Sequence, residues 1–330
     1  MIGTLRRIVA FSITALAVVV LFLVAVNTGS LQVTPEQLFD GLFVQYDETV
    51  STIYDLRFPR ILIALVGGAA VAVSGTLLQA AIRNPLADPG IIGINAGASL
   101  AAVIATAAFP MLFMFNPLFA FAGGMLAFAL VYGLAWTGGL SPLRIILVGI
   151  AVSATFTGLM SAFDSGTGSS LSGVASLVNA NITMKTWSDF FTLLTYSVPG
   201  LVLALLLSRR CDLLVLEDKT AQSLGLNVSR NRLGVSAVAV LLASVGTAIV
   251  GPISFLGLIV PHIARLLVGT SHGALIPYTA LLGAFCLLLA DTVGRTIAAP
   301  YEISAAVIMS IVGGPVFIFL LRKARKSYGE

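Results

Sequence analysis

Long runs of apolar residues alternate along this chain with short polar segments. The run 61–82, for example, contains no Asp, Glu, Lys or Arg. A helix rises about 1.5 Å per residue and the hydrocarbon core of a bilayer is about 30 Å thick, so about 20 apolar residues can cross it. Division of the chain at its charges and at its Pro, Gly and Asn clusters predicts ten transmembrane helices, near residues 8–26, 61–82, 92–109, 117–136, 143–162, 190–208, 233–250, 253–268, 276–293 and 303–321.

The composition agrees with a polytopic membrane protein and excludes a soluble one. Hydrophobic residues make up 58% of the 330 positions and charged residues only 10%, too few to cover a soluble surface. Most Lys and Arg residues stand at the ends of apolar runs, so the net charge of +4 does not indicate a nucleic-acid partner. The first run exceeds the roughly 7 to 15 residues of a signal-peptide core, and we interpret it as an uncleaved first transmembrane helix.

The distribution of basic residues predicts the orientation of the chain. If the amino terminus is cytoplasmic, all but four of the 18 Lys and Arg residues lie on the cytoplasmic side. The four on the other side are Arg57, Arg60, Lys185 and Arg295. We therefore expect an all-α, single transmembrane domain over 1–330 with both termini in the cytoplasm, an external loop at 27–60 and a cytoplasmic loop at 209–232.

The cytoplasmic loop 209–232 has the signals of two short helices. Asp218 is placed to cap the first, Gly225 to end it and Asn227 to cap the next. Leu224 and Leu226 stand among polar residues, which suits a protrusion that inserts into a groove on a soluble partner. The alternative is a solvated connector without a partner.

The loop RNPLADPG at 83–90 contains two prolines that prevent a continuous helix. Asp88 is placed to cap the following helix, with Pro89 in its first turn. Irregular backbone at the end of a transmembrane path occurs where it lines a cavity, so Asn84 and Leu86 are candidates for a constriction. An ordinary tight turn is the alternative.

The external loop carries a capping-box start at Thr34, which predicts a short surface helix. Arg57 and Arg60 lie just outside the second predicted transmembrane helix, and Asp291 and Arg295 are four residues apart near the outer end of the ninth. Such arginines either bind a partner or pair locally and snorkel.

Several chemistries are absent from the sequence. The only histidines are His262 and His272, so a multi-histidine metal site is not expected. None of the four lysines stands in a GxxxxGK[ST] motif, and this chain therefore lacks a P-loop for ATP. Energy for an ATP-driven process has to come from another subunit.

The chain resembles the FecCD-type permeases of bacterial ABC importers, which include iron-siderophore, haem and cobalamin transporters. The resemblance covers almost the whole chain. It rests on LRFPR at 56–60, AVSGTLLQAAIRNPLADPGIIGINAGAS at 72–99, AQSLGLNV at 221–228, GPISFLGLIVPHIARLLVG at 251–269, LLLADTVGR at 287–295 and IVGGPVFIFLLR at 311–322.

This resemblance implies a type II ABC importer permease, similar to the cobalamin permease, in the bacterial cytoplasmic membrane. Its partners would be a second permease subunit, identical or a sister chain, two cytoplasmic ATPase subunits and an extracytoplasmic solute-binding protein. The substrate path would run between the two permeases. No cofactor is expected on this chain, because Mg-ATP would bind the ATPase subunits.

The resemblance also implies roles for particular residues. Arg57, Arg60 and Arg295 would dock the solute-binding protein, and Asn84 and Leu86 would form the cytoplasmic gate. A second constriction is implied near 141–143, where the residues differ from the cobalamin pattern. The residues implied in coupling to the ATPase are Asp218, Gln222, Ser223, Leu224, Gly225, Leu226 and Asn227.

We hypothesise ATP-driven import of an Fe(III)-siderophore, because the GINAGAS segment at 93–99 is more similar to iron-chelate members of the family. Haem or cobalamin import by the same architecture is the alternative. An ion-coupled secondary transporter would be expected to carry ionisable groups near mid-membrane, where the predicted helices have no acidic residue. A receptor or structural membrane protein would not need the loop 209–232.

Overall fold

A computed structural model describes residues 3–28, 33–135, 142–166 and 182–328. These residues form thirteen α-helices and one 3₁₀ helix at Pro110–Phe115. The α-helices are α1 Thr4–Asn27, α2 Pro35–Phe43, α3 Glu48–Ile82, α4 Ile94–Ala108, α5 Asn116–Ala135, α6 Pro142–Gly166, α7 Trp187–Leu206, α8 Ser208–Leu214, α9 Asp218–Ser223, α10 Val228–Val250, α11 Leu256–Val268, α12 His272–Thr296 and α13 Ala305–Tyr328.

Each of the ten predicted transmembrane segments falls on one of these helices, which confirms the all-α polytopic class. Among the described residues, seven helices are long and apolar enough to cross a bilayer, and three apolar helices are shorter: α4, α11 and the part of α13 at Ala305–Phe319. The number of ten crossings stays a prediction.

Helix α3 occupies the centre of the bundle and packs against α7, α10, α11 and α12. Small residues make this possible, because a Cβ at Gly68 would collide with the backbone of Gly283 and a Cβ at Gly75 with the backbone of Gly257. The hydrophobic effect does not drive helices together in lipid, so their association depends on the van der Waals contacts that close backbone approach allows. The small residues at 67–75 thus let α3 pack closely against its neighbours.

Helix α1 begins and helix α13 ends at the same face of the bundle. The guanidinium groups of Arg6 and Arg7 donate to the carbonyls of Leu266 (3.1 Å) and Val268 (2.9 Å) at the end of α11. Helix α13 runs from the opposite face to Phe317, which lines a cavity beside the end of α3. We call the face where α1 begins and α13 ends the inner face and the opposite one the outer face.

Two helices begin at positions that differ from the predicted transmembrane segments. Helix α2 has the predicted capping box, with Thr34 Oγ1 accepting from Gln37 N (3.1 Å). Helix α3, however, begins at Glu48, capped by Asp47, so much of the predicted loop 27–60 is helical and carries its two arginines on α3. In α11 the helix begins only at Leu256, after the irregular segment 251–255.

Candidate functional sites at the two faces

The short helix α9 is tied to the inner face through Asp218. Its Oδ1 accepts from the guanidinium of Arg232 (3.0 Å) and lies 3.2 Å from that of Arg83. Arg232 also donates to the carbonyl of Ala81 (2.7 Å), and Arg83 donates to that of Leu216 (3.0 Å). One carboxylate therefore links α9 to the end of α3 and to the start of α10.

This geometry corrects the predicted role of Asp218 as a helix cap. The residue before α9 is Glu217, and it makes no side-chain capping hydrogen bond. Asp218 is the first residue of the helix, and its carboxylate is taken up by the two arginines. The capping prediction used only neighbours in sequence, whereas Arg83 and Arg232 are brought in by the packing of α3 and α10.

The other two signals in this loop are confirmed. Gly225 has a φ of +84°, a left-handed conformation that glycine adopts without strain, and it ends α9. Asn227 Oδ1 accepts from Arg230 N (3.0 Å) and caps α10, which continues without a break to Val250. Leu226 is half-buried, and exposed side chains occupy the rest of the turn, at Gln222, Ser223, Leu224 and Asn227. The segment thus presents a capped, exposed turn at the inner face.

The loop after α3 is also ordered by a side chain. Asn84 is buried, and its Oδ1 accepts from Leu86 N (2.9 Å), which forms an Asx turn. Leu86 is half-buried and lies with Asn84 on the wall of a cavity of about 590 Å³. Arg265 lines the same cavity and donates to the side-chain oxygen of Gln79. The two residues predicted as a constriction therefore stand at one cavity at the inner face.

Asp88 lies deeper in the bundle than its sequence position indicated. Its Oδ1 accepts from Gly90 N (2.8 Å), and α4 begins only at Ile94, so the predicted cap of α4 was wrong. The second oxygen is buried against Gly257 at the start of α11. Gly257 also touches Gly75, which lies seven residues before the end of α3. Seven helical residues span about 10 Å, so the loop 83–90 folds back by about that distance into the bundle.

At the outer face, Arg60 lies between two carboxylates. It contacts Asp291 (Nη2 to Oδ1, 2.8 Å; Nε to both oxygens, 3.1 Å) and Glu302 (Nη1 to Oε2, 2.9 Å). Arg295 lies 3.3 Å from the other oxygen of Asp291. Thr183 donates to Glu302 (3.0 Å). Local pairing, the alternative weighed from the sequence, thus holds for Arg60 and Arg295, whereas their role in docking stays a prediction.

Arg57 is placed differently from the other two arginines. It is half-buried on α3, one turn before Arg60, and donates to the carbonyl of Val26 at the end of α1. All three arginines nevertheless line one depression of about 620 Å³ at the outer face.

Sequence reasoning missed Glu302 and Arg232. Glu302 stands in the link between α12 and α13, and nothing in its neighbourhood along the chain indicates a partner 242 residues away. Arg232 was counted as one more cytoplasmic charge, although it is buried. Ser141 of the implied second constriction lies outside the described residues, as does the side chain of Pro142.

Comparisons with known proteins agree with this architecture. The family model of the FecCD transport family matches residues 17–323. Two relatives from Staphylococcus aureus, strains bovine RF122 / ET3-1 and Newman, carry the name "Probable heme-iron transport system permease protein IsdF". Each is 40% identical over 300 residues, which cover 91% of either chain.

Two solved structures share the fold. An inward-facing ABC transporter, provisionally classed as metal-chelate type, matches with a TM-score of 0.79 and 29% identity, over 96% of this chain and 99% of that one. The PsaBC structure from Streptococcus pneumoniae in complex with Fab matches in fold, with a TM-score of 0.60 and 15% identity, over 87% and 95%. The chain therefore belongs to the FecCD transport family and is a multi-pass permease subunit of an ABC importer, which leaves ATP hydrolysis to a separate subunit.

Proposed function

We propose that this permease imports an Fe(III) chelate, with a siderophore as the predicted cargo. The observation that carries the coupling part of the proposal is the turn 222–227, an exposed and capped segment anchored to α3 and α10 through Asp218. A segment anchored in this way can transmit a displacement of a soluble subunit to the transmembrane helices. The family membership supports an ATPase as that subunit.

In this proposal the inner face is cytoplasmic, in line with the excess of basic residues there. Two ATPase subunits dock at the turns of two permease subunits, identical or sister chains. ATP-driven closure shifts the pair between outward-open and inward-open states. Asn84 and Leu86 then gate the inner end of the path between the two subunits, and their place on the wall of the inner cavity supports this role.

A solute-binding protein delivers the chelate to the outer face. The shared depression with Arg57, Arg60 and Arg295 supports acidic residues as the complementary surface. An exposed ion pair contributes only about 0 to 1 kcal/mol, so docking needs several contacts together.

Haem is the second candidate cargo, and the name of the relatives at 40% identity favours it. Both cargoes need only weak contacts along the path, because tight ones would hold the chelate in place. The mostly apolar helices suit this requirement.

Proteoliposomes with the complete importer test the proposal. We expect ATP-dependent and binding-protein-dependent uptake of one of two ⁵⁵Fe probes, a ferric hydroxamate siderophore or haem. Saturable uptake of the siderophore alone supports the predicted cargo, and uptake of haem alone supports the second candidate. Uptake of either probe without ATP, or transport abolished by a protonophore but not by ATP depletion, would contradict the scheme.

A further inference from the structure

The outer depression contains an ion-pair cluster whose two carboxylates differ in burial. The side chain of Asp291 is 2% exposed, whereas that of Glu302 is 40% exposed, and both contact Arg60, which is 11% exposed. Asp291 lies beneath Arg60 and is held by Arg295 as well. Glu302 lies on the solvent side. Of the two, only Glu302 can leave the arginine without uncovering a buried charge.

Glu302 is held as an ion by its surroundings. Burial raises the pKa of its carboxyl, but the charge and hydrogen bonds of Arg60 and the hydrogen bond from Thr183 together bring that pKa below its usual value. Its backbone lies in the short link between α12 and α13 rather than in a helix. A rotation of the side chain is therefore sufficient to release Arg60.

Two other cations of the depression are matched with carboxylates, whereas Arg57 donates to the carbonyl of Val26. Lys185 lies 3.7 Å from Asp189, and Arg295 lies 3.3 Å from Asp291. An acidic residue that approaches from outside thus meets arginines that already have partners. It gains a strong, bidentate contact with Arg60 only where a resident carboxylate gives way.

We propose that Glu302 occupies Arg60 as an intrachain substitute for an acidic residue of the solute-binding protein, and that docking exchanges one carboxylate for the other. This inference rests on the proposed docking role of the outer arginines. Asp291 stays on Nε and Nη2 of Arg60 throughout, and the exchange keeps Nη1 paired in both states as well. It also weakens docking, because each docking event has to displace Glu302.

The test measures binding of the solute-binding protein to the complete importer in nanodiscs by biolayer interferometry. Glu302→Gln removes the competing charge and keeps the shape of the side chain. We expect the Kd to fall about threefold to fivefold, the size of one exposed ion pair. Thr183→Val loosens Glu302 without a change of charge and is expected to lower the Kd by a smaller factor. Glu36→Gln is the matched control, because it removes an exposed carboxylate from α2 on the same face.

The outcomes separate this inference from the docking proposal. If Arg60→Gln leaves the Kd unchanged, the docking role of Arg60 is wrong; Arg57→Gln gives a second test of the docking surface. If Arg60→Gln weakens binding but Glu302→Gln tightens it no more than Glu36→Gln does, docking stands and the exchange is refuted. Thermal unfolding of each variant verifies that the importer is intact.

Discussion

Replacement of Asp218 by Asn should uncouple ATP hydrolysis from transport. The wild-type carboxylate lies 3.0 Å from Arg232 and 3.2 Å from Arg83, and it joins α9 to the ends of α10 and α3. An amide keeps the size of the side chain but removes the charge that both guanidinium groups contact. We therefore expect α9 to stay helical and to lose its hold on the transmembrane helices.

The free energy that Asp218 contributes to holding α9 in place follows from the exposure of the three side chains. Asp218 is 42% exposed and Arg83 35%, so solvent screens this pair and it contributes about 0 to 1 kcal/mol. Arg232 is 9% exposed, and its charged hydrogen bond is worth about 1.5 kcal/mol, the lower end of the range for such bonds. The total is about 2 kcal/mol, of which the amide oxygen of Asn retains about 1 kcal/mol as a neutral acceptor. The remaining loss of about 1 kcal/mol changes the ratio of attached to detached α9 about fivefold.

The assay compares iron uptake with ATP hydrolysis in the same proteoliposomes. Asp218→Asn should retain ATPase activity and lose most of the transport per ATP. Lys219→Gln is the matched control, since it changes an exposed charge at the next position. An unchanged ratio of transport to hydrolysis in Asp218→Asn, with normal assembly, would refute the role of this carboxylate as the link.

Three further changes test the packing and the gate. Gly75→Ala should lower the midpoint of thermal unfolding, because its methyl group would overlap the backbone of Gly257, whereas Gly234→Ala, in open space, should leave it unchanged or raise it slightly. Asn84→Ala removes the acceptor of its Asx turn and should increase ATP-independent leakage of a chelate loaded into proteoliposomes; leakage equal to that of wild type would contradict a gate there. Asp88→Ala should reduce the yield of assembled importer, because Asp88 accepts from Gly90 N and holds the loop 83–90 in the bundle. Asp88→Asn still accepts from the backbone and should retain more of the yield; equal yields would refute the role of Asp88 in holding this loop.

The helices and their order followed from local features of the chain. A long apolar run in lipid has to satisfy its own backbone hydrogen bonds, so it forms a helix wherever it is long enough. The length of such a run can be read directly from the sequence. The same holds for the capping box at Thr34 and the helix end at Gly225, since each depends on residues within one turn.

The partners of the charged groups depended on helix packing. Nothing near Arg60 in sequence predicts its contacts with Asp291 and Glu302, and nothing near Asp218 predicts Arg83. Pairing energy depends on distance and burial, and both are set only when α3 meets α12 and α9.

The sequence by itself thus determined the membrane class, the helices and the surfaces where charge collects, because hydrophobicity and capping act over a few neighbouring residues. Only the tertiary structure decided that Asp88 folds back to α11, that Asp218 links three helices and that Arg60 and Arg295 are already paired with carboxylates. These contacts join residues far apart in the chain, and their geometry exists only once the small residues of α3 have let the helices pack closely.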